Sequence, residues 1–90
     1  MFYVVYVLED KDGEFYTGFT TNLRKRLTEH NQGRSYSTRN RVWHCVYYEA
    51  CIEEDDARRR EHYFKTNQGR RALRTRLQVY LYKRRKPKLH

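Results

Sequence analysis

The first eight residues, MFYVVYVL, are almost all β-branched or aromatic and predict a strand. Val4, Tyr6 and Leu8 fall on one face of it, and Tyr3, Val5 and Val7 on the other. A strand that is apolar on both faces belongs in the middle of a sheet. EDKDGE then breaks the run, Asp12-Gly13 signals a hairpin, and EFYTGF follows as the antiparallel partner with Tyr16 and Gly18 on one face. From residue 21 the apolar spacing lengthens to that of a helix. TTNLRKRLTEHNQG has a start at Thr21 or Asn22, a Leu23/Leu27 stripe, and a stop between Asn31 and Gly33.

RSYSTRNR reads as an exposed basic loop and VWHCVYYEA as a third strand. The acidic run EEDD suits the positive N-terminal end of a second helix that continues through Phe64. TNQGRR interrupts the pattern at Gly69, and Leu73, Leu77, Tyr80 and Leu81 then predict a third helix with an arginine-rich outer face. KRRKPKLH holds the chain's one proline and little core material, and reads as a tail. The expected fold is α+β: a small three-stranded antiparallel sheet flanked by helices in the order ββαβαα. One domain would cover residues 1–82 and a basic tail residues 83–90.

Charge changes this picture because it is unevenly placed. Residues 1–53 hold seven Lys/Arg against seven Asp/Glu, whereas residues 54–90 hold thirteen against four, so the whole net charge of +9 lies in the last part of the chain. A block of this kind favours a polyanion, nucleic acid first, by releasing its counterions. The bland reading of the same block is a solvated basic face. Two cysteines, Cys45 and Cys51, are too few for a zinc site or a disulfide framework and point to a reducing, cytoplasmic setting. The first apolar stretch, FYVVYVL, is only seven residues, too short for a membrane span or a secretory leader, so neither is expected.

Candidate chemistry emerges from polar residues that fall on apolar faces. At about 100° per residue, Arg26 and His30 border the Leu23/Leu27 stripe of the first helix. On the second, Glu61 shares a side with Ala57 and Phe64. A carboxylate facing a core is costly unless it is paired, protonated or holding a cation. Arg26, His30 and Glu61 would therefore converge beside Tyr6 or Tyr16 of the sheet. Singly, each has a structural explanation, such as an Arg26–Glu61 salt bridge or a core-edge histidine.

In order and spacing the set resembles the GIY-YIG nuclease superfamily, its small single-domain bacterial branch most. VVY at 4–6 stands where that family has GIY, and YTG at 16–18 where it has YIG. Arg26 matches the family's catalytic arginine on the first helix, His30 a histidine one turn later in many members, and Glu61 the metal-binding glutamate. Val4 and Thr17 depart from the motif, while both tyrosines and Gly18 are kept. The resemblance covers roughly residues 2–78.

The resemblance implies a metal-dependent endonuclease that hydrolyses phosphodiester bonds in DNA, with RNA as a further substrate class, leaving a 5′ phosphate and a 3′ hydroxyl. Tyr6 would act on the attacking water as base or relay, with His30 as the other candidate to take the proton. Tyr16 would orient water or phosphate, Arg26 would meet the charge of the transition state, and Glu61 would hold Mg²⁺ or Mn²⁺. Around them, Arg34, Arg39, Arg41, Lys65, Arg70, Arg71 and Arg74 are expected to track a nucleic-acid backbone, selecting structure more than sequence because the chain carries no base-reading module. A protein partner would be another source of that selection. The competing reading is a non-catalytic nucleic-acid-binding module on the same fold, with a basic protein-interaction domain behind it.

Overall fold

A computed structural model describes residues 1–33 and 41–85. The strands are β1 (Tyr3–Glu9), β2 (Phe15–Thr20) and β3 (His44–Cys51), and the helices α1 (Leu23–Asn31), α2 (Glu54–Phe64), α3 (Asn67–Arg76) and α4 (Gln78–Arg85). The sheet is antiparallel throughout in the order β2-β1-β3, so the doubly apolar first strand is central, as its pattern predicts. β2 and β3 are both edges.

The hairpin between β1 and β2 is closed by Asp10. Its backbone carbonyl accepts from the Gly13 amide at 3.1 Å, and its carboxylate accepts from the Asp12 and Glu14 amides at 3.0 and 2.9 Å. Gly13 sits at φ 84°, the left-handed region where a side chain would be strained, which is why Asp-Gly marks this turn. Register then pairs Tyr6 with Gly18 on one side and with Tyr48 on the other.

Two cores form, one on each face of the sheet. Val4, Tyr6 and Leu8 pack with Trp43, against Leu23 and Leu27 of α1. Val5 and Val7 pack with Ala57 and Phe64 of α2, Leu73 of α3, and Leu77 and Leu81. α1 is capped by the Asn22 carboxamide, which accepts from the Lys25 amide at 3.1 Å. At its other end the Asn31 side chain clamps the backbone of Trp43, donating at 2.9 Å and accepting at 2.8 Å, and so joins α1 to the start of β3. Glu54, Asp55 and Asp56 occupy the first turn of α2, where the helix dipole favours them.

The C-terminal helical segment differs from its sequence reading in two ways. It begins earlier, at Asn67, with Thr66 as N-cap accepting from the Gly69 amide at 3.0 Å. Gly69 lies inside the first turn because a β-carbon there would stand 1.8 Å from the Tyr63 carbonyl oxygen at the end of α2. Space, not helix breaking, is its role. The single helix expected through Leu81 is also two, broken at Leu77 (φ −101°, ψ 19°). Leu73, Leu77 and Leu81 keep their spacing of four across the break, so periodicity alone does not reveal it.

α4 returns to the hairpin end of β1. Glu9 is buried there; the Tyr80 hydroxyl donates to Oε1, and Arg84 Nη2 lies 2.8 Å from Oε2, an ion-pair contact whose angle falls short of a hydrogen bond. Residues 83–85 of the basic C-terminal stretch thus belong to α4, and 86–90 lie outside the described residues.

Candidate active site

The site is built at the outer edge of β2. Tyr6 projects from the central strand toward α1 and lays its ring across Gly18: a β-carbon at Gly18 would stand 2.3 Å from the Tyr6 hydroxyl oxygen and 2.4 Å from Cζ. Gly18 is not in the left-handed region, so this glycine serves close approach alone. Arg26 and His30, one turn apart on α1, meet the hydroxyl that Gly18 lets through. His30 Nε2 is 2.7 Å from it, and Arg26 Nε donates to it at 3.3 Å. Tyr16, two residues before Gly18 on the same face, places its ring edge-on to His30 with centroids 5.1 Å apart.

The proton positions follow from this pattern. Arg26 can only donate, so the Tyr6 oxygen accepts from it, and with His30 in the tautomer whose Nε2 is unprotonated the Tyr6 hydroxyl donates to the ring. Electrostatics agree. Burial first, then the Arg26 charge, holds His30 below its usual value. Burial pushes Tyr6 up to about 12, with the Arg26 hydrogen bond and charge opposing and the neighbouring Tyr16 and Glu61 adding to the rise. The hydrogen bond to Tyr6 raises Arg26 in turn.

Glu61 comes from α2, packed on the opposite face of the sheet, and its charge is felt at Tyr6. Its carboxylate, 15% exposed, meets Lys65 at 3.1 Å and Arg58 at 3.6 Å. Arg26 pairs instead with Glu29, at 3.1 Å, so the acid expected to neutralise it structurally is the wrong one. Glu61 is therefore not committed to Arg26, and its charge is what links it to Tyr6. Among the described residues no group of three or more His, Cys, Asp or Glu side chains could cage a metal. Glu61 is the carboxylate that would hold a hydrated Mg²⁺, an ion that keeps several waters and needs only one or two carboxylates.

The basic residues divide. Lys65, Arg70 and Arg74 line one groove with Tyr16, whereas Arg71 is exposed on α3 outside it. Arg41 is bonded to the buried Asp10 at 2.6 Å. Arg34 and Arg39 lie outside the described residues. Sequence reasoning missed Glu29, though its spacing of three from Arg26 signals the pair, and gave Gly18 no task although its alternation with Tyr16 puts it beside Tyr6. Both cysteines are free thiols, and no described helix is long and apolar enough to cross a membrane.

Comparison with known proteins agrees with this geometry. The family model for the GIY-YIG catalytic domain matches residues 2–74. A UPF0213 protein of Desulfotalea psychrophila is 41% identical over 64 residues, which are 68% of this chain and 58% of that protein. One from Staphylococcus haemolyticus is 39% identical over 64 residues, 69% of this chain and 78% of its own. The solution NMR structure of the UPF0213 protein BH0048 from Bacillus halodurans superimposes with a TM-score of 0.54 at 33% identity, covering 83% of this chain and 84% of that one. With the GIY-type Tyr6, the YIG-type Tyr16 and the helix-borne Arg26 and His30 gathered over β2, the chain belongs to the GIY-YIG family, a nuclease-type family, among relatives that are small bacterial UPF0213 proteins.

Proposed function

We propose that the protein is a metal-dependent endonuclease hydrolysing phosphodiester bonds in DNA. The observation that carries this reading is the buried Tyr6 hydroxyl held between neutral His30 and charged Arg26, in the field of Glu61.

Arg26 is the first contact for a phosphate. Its side chain is 32% exposed, its contact with Tyr6 is long, and its fork has N–H groups beyond those given to Tyr6 and Glu29. A phosphate that draws Arg26 toward itself frees a lone pair on the Tyr6 oxygen for a water. The water then gives its proton to that oxygen as Tyr6 passes its own to His30 Nε2. The hydroxide oxygen bonds to phosphorus, and the bond to the 3′ oxygen breaks, the departing alkoxide taking a proton from solvent water to become the 3′ hydroxyl. A phenol held near 12 is a poor base by itself, so the relay to His30 is what makes Tyr6 useful. Glu61 would hold Mg²⁺ or Mn²⁺, which when bound neutralises phosphate charge and lowers the pKa of water. Tyr16, against His30, limits how that ring can turn.

The test is incubation of pure protein with labelled duplex, single-stranded, flap and junction DNAs and with RNA, in Mg²⁺, Mn²⁺ or EDTA, beside Glu61→Gln. Metal-dependent cleavage lost in the variant supports the reading. Binding without cleavage in any metal refutes it in favour of a non-catalytic binding module.

A further inference from the structure

Along the outer edge of β2, the site at Gly18 is followed by a groove of about 390 Å³ between β2 and α3. Phe15 and Tyr16 line it from β2, Lys65, Arg70 and Arg74 from the helical side, and Glu14 is its one acid. Arg70 and Arg74 are one turn apart and share a side of α3, and the buried Leu73 fixes that side against the sheet. Among the described residues neither arginine takes part in an ion pair. Lys65 reaches from this groove to Glu61, at 3.1 Å, so the groove and the candidate active site share a wall. Arg74 lies over the Phe15 ring, 5.5 Å from its centroid, a contact that leaves its charge unneutralised.

We propose that this groove is the subsite for the nucleotide next to the scissile phosphate, its phosphate against Arg70 and Arg74 and its base or sugar beside Phe15, over whose ring Arg74 already lies. This deepens the endonuclease reading and rests on it for the word scissile. Gly18 and Tyr16 are two residues apart on an extended strand, about 6.6 Å, which is of the order of the step between neighbouring phosphates on a polynucleotide. A groove of about 390 Å³ is in the range of small-ligand pockets and suits a single nucleotide. Cations interleaved with aromatic rings are the chemistry by which proteins grip a polynucleotide strand.

The experiment compares two double variants of equal charge change: Arg70→Gln with Arg74→Gln in the groove, and Arg76→Gln with Lys83→Gln outside it. Binding of short labelled oligonucleotides is measured in EDTA against salt, and cleavage in Mg²⁺ against substrates carrying one neutral methylphosphonate linkage at successive positions around the cut. The groove variant should bind about tenfold more weakly, lower the salt slope by roughly two, and lose the wild type's sensitivity to one particular neutral linkage beside the cut. The control should change affinity less than about threefold. Equal effects of the two variants, with cleavage intact, overturn the subsite and leave the endonuclease reading standing. A groove-specific loss of binding in a protein that never cleaves overturns the endonuclease reading and keeps the nucleotide groove.

Discussion

Gly18→Ala offers the sharpest test of how the site is assembled. The added β-carbon would stand 2.3, 2.4 and 2.9 Å from the Tyr6 hydroxyl oxygen, Cζ and Cε1, so the ring must retreat by about 1 Å to reach ordinary contact. The ring is not free to do so. Tyr6 is 1% exposed, and its hydroxyl is held by His30 and Arg26. Overpacking costs about 1–3 kcal/mol and a lost buried hydrogen bond about 1 kcal/mol, so a destabilisation of roughly 2–4 kcal/mol is expected. For a domain of this size that lowers Tm by roughly 10–25 °C in a calorimetric or circular-dichroism melt. The cycle is completed in a Tyr6→Leu background, where all three clashing atoms are gone. There the same alanine should be neutral or stabilise by about 0.5 kcal/mol, because it restricts the unfolded strand. An alanine that costs as much in the Tyr6→Leu background as in the wild type, or nothing in either, would refute the claim that Gly18 exists to let Tyr6 through.

Other outcomes follow from the same contacts. Glu61→Gln should lose cleavage while stability falls by less than about 1 kcal/mol in a denaturant melt, since its partners Arg58 and Lys65 are exposed; a large loss of stability would instead make Glu61 a structural acid. Gly69→Ala should cost about 3 kcal/mol or more despite alanine's better helix propensity, because two backbone segments must separate, and a neutral result would disprove the tight α2–α3 crossing. Arg84→Met strips the buried Glu9 of its cation and should cost about 2 kcal/mol at neutral pH, with recovery in Glu9→Gln/Arg84→Met; no recovery would sink the pairing. His30 is held below its ordinary 6.5, so the acid limb of cleavage should fall below pH 6.5, and the stability it contributes is complete above that value and lost as pH falls through the folded-state pKa. Tyr6 shifts the other way, from 10 to about 12, so its contribution, about 3 kcal/mol, is complete below pH 10 and lost on rising toward 12; Tyr6→Phe should flatten that part of the stability profile.

Sequence pattern carries far in this chain where one residue's environment is set by its own element. The doubly apolar run Tyr3–Leu8 is central because both cores need it, and Asp12-Gly13 turns because Gly13 alone tolerates φ 84°. Pattern fails where two elements press on one another. Gly69 reads as a breaker along its own helix, yet its reason lies in the Tyr63 carbonyl of the preceding one. The break at Leu77 is silent because leucines four apart look alike across a straight helix and a bent one, whereas the bend is what carries Tyr80 and Arg84 back to Glu9.

The same division explains the site. Angular position on α1 brings Arg26 and His30 to the buried stripe, and that much is local geometry; that both meet Tyr6 depends on a ring crossing an adjacent strand, which needs the pairing of Tyr6 with Gly18. Glu61 shows the limit most clearly. Its helical face predicts contact with the core but not which charge it answers, and the nearest sequence candidate, Arg26, is taken by Glu29 on its own helix. An arginine satisfied locally leaves the acid from the far side of the sheet paired, among the described residues, with the exposed cations Arg58 and Lys65, which can let go. The proposed site for phosphate and metal would need an acid held in place but not neutralised by Arg26, and the i, i+3 pair on α1 gives that arginine a partner of its own.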